Sequence, residues 1–305
     1  MSAPLYDRLA LIGLGLIGSS IARAARQSGA VGMIVGTDTH ADVCERARAL
    51  GFLDALEETA ERVVADADLV ILCTPVGAFG DVARAIAPYL APGATLSDTG
   101  SVKQAVIRDI GPLVPNGVNF IPGHPVSGTE YSGPDAGFGD LFKGRWCILT
   151  PPPGTAVAAV DRLTRFWQRL GSKVEVMEAR HHDIVLGITS HVPHLIAYNI
   201  VGTAYDLEAV TESEVIKYSA GGFRDFTRIA ASDPTMWRDV FLNNREAVLE
   251  VLERFMEDLT ALKRAIRWGE GEALFDLFTR TREIRRGIIE AGQETDAADF
   301  GRPHE

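Results

Sequence analysis

The 305-residue sequence is 46% hydrophobic and 23% charged, an ordinary globular composition with enough chain for two cores rather than one. Its formal net charge of -11 argues against a nucleic-acid partner, which would need a positive field, so an anionic small molecule would have to be caught by local arginines. Cys44, Cys73 and Cys147 lie far apart without CxxC spacing, which suits a reduced, cytoplasmic protein better than a metal knuckle or a redox pair.

The apolar opening LALIGLGLIGSSIARAA could imitate a secretory signal. Asp7 precedes it with only Arg8 for positive charge, however, and its glycines sit where a tight turn needs them. No run approaches the roughly twenty uninterrupted apolar residues of a membrane span, so no membrane partner is expected. Up to about residue 178, seven short apolar runs alternate with amphipathic stretches: RLALIGL, MIVGTD, DLVILCT, ATLSDT, VNFIPG, RWCILTP and KVEVME. This alternation predicts one mostly parallel sheet with helices on its faces. The Pro151 to Gly154 run reads as a loop inside that domain, because a further helix and strand follow it.

Beyond Glu178 the β-type runs cease and helices remain. The expected division is an α/β domain over 1–178 and a helical domain over 179–305. The longest predicted helix starts with Ser232 or Asp233 as its cap and Pro234 in its first turn. It carries Trp237, Val240, Phe241, Val248, Val251, Leu252, Phe255, Leu259, Leu262 and Ile266 on one stripe. A second copy would cover such a stripe, so a homodimer through the C-terminal helices is expected.

The turn Gly13-Leu14-Gly15-Leu16-Ile17-Gly18 follows the first predicted strand and opens a helix, the context a dinucleotide fingerprint requires. Gly13 allows the tight turn, Gly15 lets backbone approach a pyrophosphate, and Gly18 lets helix pack on strand. The helix N-terminus adds free N–H groups and partial positive charge. Asp38, twenty positions after Gly18, can accept from both ribose hydroxyls and repels a 2′-phosphate, which predicts NAD rather than NADP. The competing role for Asp38 is to cap a loop. Thr74 and Pro75 end another strand at the ligand-binding edge of the sheet, where Pro75 could equally just shape the loop.

Four further segments are dense in polar and glycine residues: SDTGSVK, GHPVSGTEYSGPDAGFG, HHDIVLGITSHVPHLIAYNIV and SAGGFRDFTRIAASDPTMWRD. With the glycine turn they resemble the prephenate and arogenate (cyclohexadienyl) dehydrogenases of tyrosine biosynthesis, from about Leu9 to Asn244. The resemblance implies an α/β Rossmann-type N-terminal domain with an all-α C-terminal dimerisation domain. It implies oxidative decarboxylation of a dianionic cyclohexadienol with hydride transfer to NAD. It marks His124 as catalytic base or polariser, Ser101 as a catalytic group orienting substrate hydroxyl and nicotinamide ribose, His194 as lying against substrate, and Arg228 as the clamp on a substrate carboxylate.

Each residue also has a structural reading. His124 could be tied to backbone at a strand end, Ser101 is equally suited to cap a helix, and His191 could be packed in the core. Ser190, His191 and His194 share one helix face, with a kink expected at Pro193 and no carboxylate at metal-ligand spacing, so no metal is expected. Arg224 and Arg228, four apart, would repel on one helix unless an anion sits between them, although Asp225 can relieve one. Gly222 would let backbone approach substrate; Trp237 matches an aromatic near the site, though its stripe position suits the core. Thr129 and Glu130 would gate or line the entrance, in a glycine-rich loop expected to be flexible up to Gly139. Rival readings are a two-domain β-hydroxyacid or imino-acid dehydrogenase and a non-catalytic dinucleotide sensor. Prephenate against arogenate stays open, and no separate regulatory domain is expected after the last helix.

Overall fold

Seven residues, Tyr6–Ile12, form β1 at the middle of a six-stranded parallel sheet ordered β3-β2-β1-β4-β5-β6. The other strands are β2 (Val31–Thr37), β3 (Ala55–Leu56), β4 (Leu69–Leu72), β5 (Thr95–Asp98) and β6 (Asn119–Phe120). Both faces are covered, which is why these strands read as continuous apolar runs. Leu9 and Leu11 point to one core with Ile21 of helix α1 (Leu16–Ser28) and Phe166 and Trp167 of α6 (Val157–Arg169). Ala10 and Ile12 point to the other, with Val63 of α3 (Ala60–Val64), Ile86 of α4 (Phe79–Ile86) and Val106 of α5 (Gln104–Ile110). The strand order reverses between β1 and β4, and such a switch point leaves a crevice at the carboxyl ends of the strands.

This computed structural model describes residues 3–129, 131–208 and 221–290, in one compact unit through Leu249 and a second from Glu250. It corrects the expectation of a single sheet. β7 (Gly123–Pro125), β8 (Trp146–Leu149) and β9 (Lys173–Val176) form a separate three-stranded sheet in which β7 runs antiparallel to β8. The cause lies in the predicted strand VNFIPG: Ile121 N–H still donates to Leu96 O at 2.9 Å, but Pro122 has no N–H to continue the ladder. The chain leaves the first sheet there and carries His124 into the second.

Among the described residues, the helices after Glu178 are α7 (Ala179–Leu186), α8 (Val192–Glu208), α9 (Gly221–Thr227), α10 (Pro234–Asn243), α11 (Arg245–Trp268) and α12 (Gly271–Glu290). A π-helical turn, Gly187–His191, joins α7 to α8 where Pro193 removes an N–H from the ladder. The long helix expected from Asp233 onward is two helices. Asp233 does cap it, accepting from Met236 N–H at 2.8 Å, but Asn244 breaks it with φ -110° and ψ 30°.

The continuous helical run Ala179–Leu207 is, by length and a mean hydropathy of 1.4, apolar enough to cross a membrane, although polar residues interrupt it throughout. Its inward face instead carries His182, Asp183 and His191, all at 0% exposure and all hydrogen-bonded within the protein.

The glycine-rich loop is pinned in its second half. Phe138 N–H donates to Ser20 Oγ at 3.1 Å, and a Cβ on Gly137 would stand 2.0 Å from Ser19 Oγ. Arg46 of α2 (Ala41–Leu50) forms a two-pronged ion pair with Asp135. Here glycine serves close packing on the first helix as much as freedom of the chain.

Candidate active site

The dinucleotide turn has the shape its sequence predicts. Gly13 has φ +98°, and a Cβ there would lie 2.7 Å from the Cys73 carbonyl; at Gly18 it would lie 2.1 Å from Gly13 O. At Gly15 a Cβ would meet nothing within 4 Å, so open space stands over the turn where a pyrophosphate would lie. Gly15 caps α1 without any side-chain hydrogen bond, leaving its first N–H groups for an anion. Leu16 and Ile17 begin that helix, half-buried. Asp38, just past β2, accepts from Leu14 N–H (2.9 Å) and His40 N–H (3.0 Å), each through a different oxygen. A carboxylate has about four acceptor sites, so capacity remains for ribose hydroxyls. Thr74 keeps a buried Oγ1 without a hydrogen-bond partner among the described residues, beside exposed Pro75. Gly15, α1 and Asp38 therefore fit a dinucleotide.

Next to this crevice, past the carboxyl end of β5, three side chains form a buried line. Asp183 Oδ1 lies 2.8 Å from His182 Nδ1, and His182 Nε2 lies 2.8 Å from His124 Nδ1. Asp183 also accepts from Lys103 N–H (2.7 Å) and Gln104 N–H (2.9 Å), capping α5 from eighty residues away. That is the position for which Ser101 was a candidate cap; Ser101 itself lies half-buried just before it. Burial alone would raise the Asp183 pKa, but the hydrogen bonds from His182 and the two main-chain groups outweigh it and keep the carboxylate ionised.

Proton placement follows along the line. An ionised carboxylate only accepts, so His182 holds its proton on Nδ1 and offers Nε2 as acceptor. His124 must then donate from Nδ1, which leaves its Nε2 lone pair for other work. Burial, then the neighbouring His182, Lys103 and His191, push the His124 pKa well below its ordinary value, so the ring is neutral near pH 7. A second clamp holds the preceding residue, Gly123. Lys103 Nζ is wholly buried, pairs with Asp98 and donates to Gly123 O at 2.6 Å, while Asp98 accepts from Gly123 N–H at 3.3 Å. Burial pushes Asp98 up and Lys103 down, and their mutual attraction opposes both shifts.

The helical wall adds His194, whose ring stacks on Trp237 at 3.7 Å between centroids. His194 Nδ1 donates to Ser190 O at 2.8 Å, leaving Nε2 as acceptor; burial lowers its pKa despite that hydrogen bond, and Arg228 lowers it further. Trp237 belongs to the core, as its stripe position predicted, and also to this wall. Arg224 and Arg228 do not share one helix: α9 ends at Thr227 and Arg228 begins a 3-10 turn, Arg228–Ala231. Arg228, Thr129 and Ser127 line a cavity of about 420 Å³ together with Lys143 and Arg145. Gly222 lies in α9 with open space where a Cβ would stand. Glu130 lies outside the described residues.

A dinucleotide cradle beside a neutral, oriented imidazole defines a dehydrogenase of the two-domain class. Two family models divide the chain between them: the prephenate dehydrogenase nucleotide-binding domain matches residues 21–176, and the prephenate dehydrogenase dimerization domain matches 178–280. The chain belongs to the prephenate dehydrogenase family. It is 42% identical to the cyclohexadienyl dehydrogenase of Zymomonas mobilis over 93% of this chain and 96% of that protein. It is 31% identical to the prephenate dehydrogenase of Bacillus subtilis over 92% of this chain and 76% of that one. The crystal structure of A. aeolicus prephenate dehydrogenase with hydroxyphenyl propionate and NAD+ superposes with a TM-score of 0.86 at 35% identity, covering 92% of this chain and 98% of that one.

Proposed function

We propose that this protein catalyses the NAD-linked oxidative decarboxylation of prephenate, arogenate or both, with His124 as the base. The observation that carries the reading is the line Asp183–His182–His124, which leaves a neutral imidazole with Nε2 unprotonated beside the dinucleotide crevice. Membership of the prephenate dehydrogenase family supports the substrate class.

The bound dinucleotide would supply the hydride acceptor. Gly13, Gly15 and Gly18 would seat its pyrophosphate at the start of α1, Asp38 would accept from its ribose, and Thr74 and Pro75 would shape the edge beside it. His124 Nε2 accepts the proton of the substrate ring hydroxyl as hydride leaves that carbon. Once the ketone has formed, electrons from the breaking bond to the ring carboxylate flow through the ring to the ketone oxygen as carbon dioxide departs, and that oxygen of the now aromatic ring takes the proton back from His124. Ser101 orients the hydroxyl. Arg228 takes the substrate side-chain carboxylate with two parallel N–H donors, and His194, held flat by Trp237, lies against the substrate. Thr129 lines the entrance.

The functional boundary falls near residues 178 and 179, with substrate groups drawn from both sides. A homodimer through the C-terminal helices is supported by the dimerization-domain match and by exposed apolar residues such as Ile266 (69%), Phe275 (70%) and Phe278 (57%). Three free thiols, Cys44, Cys73 and Cys147, suit a reducing cytoplasm.

The test is NADH formation measured with prephenate and arogenate in parallel, with NAD and again with NADP, alongside carbon dioxide release. Equal yields of NADH and carbon dioxide from either substrate, with NAD preferred, are expected. No NADH from either substrate contradicts the proposal.

A further inference from the structure

The break between α10 and α11 places one amide where two helical segments meet. Asn244 is 3% exposed, and its Nδ2 lies 2.9 Å from the main-chain oxygen of Asp183 and 2.9 Å from His191 Nδ1. A main-chain oxygen can only accept, so this atom is the amide nitrogen and it donates in both directions. His191 Nδ1 is therefore the acceptor, and a neutral His191 must carry its proton on Nε2. That nitrogen is buried without a hydrogen-bond partner among the described residues, and the Ser101 main-chain carbonyl adjoins the ring.

We propose that Asn244 is a positioning residue: it holds His191 as a neutral imidazole with the proton on Nε2, directed at the turn that presents Ser101. The groups facing His191 are His182 and Asp183 from α7, His194 from α8, His124 from β7, the Ser101 carbonyl, and the edge of Trp237 at 6.1 Å between centroids. Burial is the largest influence on the ring and His182 the next, and they lower its pKa to about 4 although Asp183 and Ser101 act the other way. The ring therefore stays neutral across the physiological range. Asn244 also grips the main chain of Asp183, so one side chain ties the Ser101 turn to the line that sets His124.

The tautomer stands independently of the reaction; the effect on turnover rests on the function proposed above. The substitution Asn244→Asp separates the two. A carboxylate cannot donate, so His191 would have to place a proton on Nδ1 and, when neutral, would present a bare Nε2 to the Ser101 carbonyl. Long-range proton–nitrogen NMR on histidine-labelled protein, with His191 assigned by its loss in His191→Gln, reads this directly. Expected in the unsubstituted protein is an Nε2–H imidazole that does not titrate between about pH 6 and 8. Asn244→Asp should convert it to an Nδ1–H ring or an imidazolium. It should also lower kcat/KM about tenfold near pH 8, with recovery toward pH 6, where the imidazolium again carries an Nε2 proton.

An Nδ1–H or charged His191 in the unsubstituted protein overturns the assignment, and that spectrum needs neither a folded variant nor turnover. An unchanged kcat/KM at both pH values, or a uniform fall with His191 unaltered, overturns the positioning role.

Discussion

The dinucleotide turn and the histidine line sit side by side but are built in opposite ways. The turn is six consecutive residues whose geometry comes from their own backbone, Gly13 at φ +98° and Gly18 packed on Gly13 O. The line takes His124 from a strand, His182 and Asp183 from a helix about sixty residues later, and the Lys103 main chain from a third segment. A local device can be read as a motif, because each residue is explained by its immediate neighbours. A long-range device appears in sequence only as separate polar residues with bland explanations of their own.

Substitutions in the two regions should therefore fail differently. The largest effect is expected in the line: His124→Asn should lower kcat by about two to four orders of magnitude, checked by steady-state NADH formation. Asp183→Asn should lower kcat by about two orders, because an amide no longer fixes His182 with its proton on Nδ1. Single-turnover kinetics would place that loss in the chemical step. Arg228→Ala should raise KM for the substrate about tenfold or more with a smaller change in kcat. In the turn region, Asp38→Ser with an added neighbouring arginine should move preference from NAD toward NADP while kcat with saturating cofactor changes least, read from parallel titrations.

Stability should carry the signature of the line as well. His124, His182 and His191 are each held below the ordinary imidazole pKa, chiefly by burial. A group whose folded pKa is depressed contributes stability that is present above its unfolded value and lost as pH falls through the folded one. Melting temperature should therefore be flat above about pH 7 and decline from about pH 6.5 downward. Replacing His191, whose folded pKa is about 4, should shallow that decline.

Sequence reasoning reached the turn, Asp38 and the helical C-terminal region from residue chemistry, and reached His124, Ser101, His194 and Arg228 through resemblance. It passed over His182 and Asp183 because an adjacent His–Asp pair at a helix start looks like solvated surface. The available signal was their place on the inward face of an apolar helix, where such residues need partners. Lys103 followed Asp98 by five residues and gave no hint of lying at 0% exposure, since the burial comes from packing across segments. The second sheet and the divided long helix escaped for related reasons. Pro122 ends a ladder only because the strand already lies in one, and Asn244, at the break between two helices, has its amide taken by Asp183 and His191, partners distant in sequence.

The central claim, that His124 is the base and is neutral because it is buried in this line, is tested most directly by the pH dependence of kcat/KM. The unsubstituted enzyme should hold its activity through the ordinary imidazole range and lose it only well below about pH 6.5, and His124→Asn should abolish that limb along with most of the rate. An acid limb that persists unchanged in His124→Asn would contradict the account.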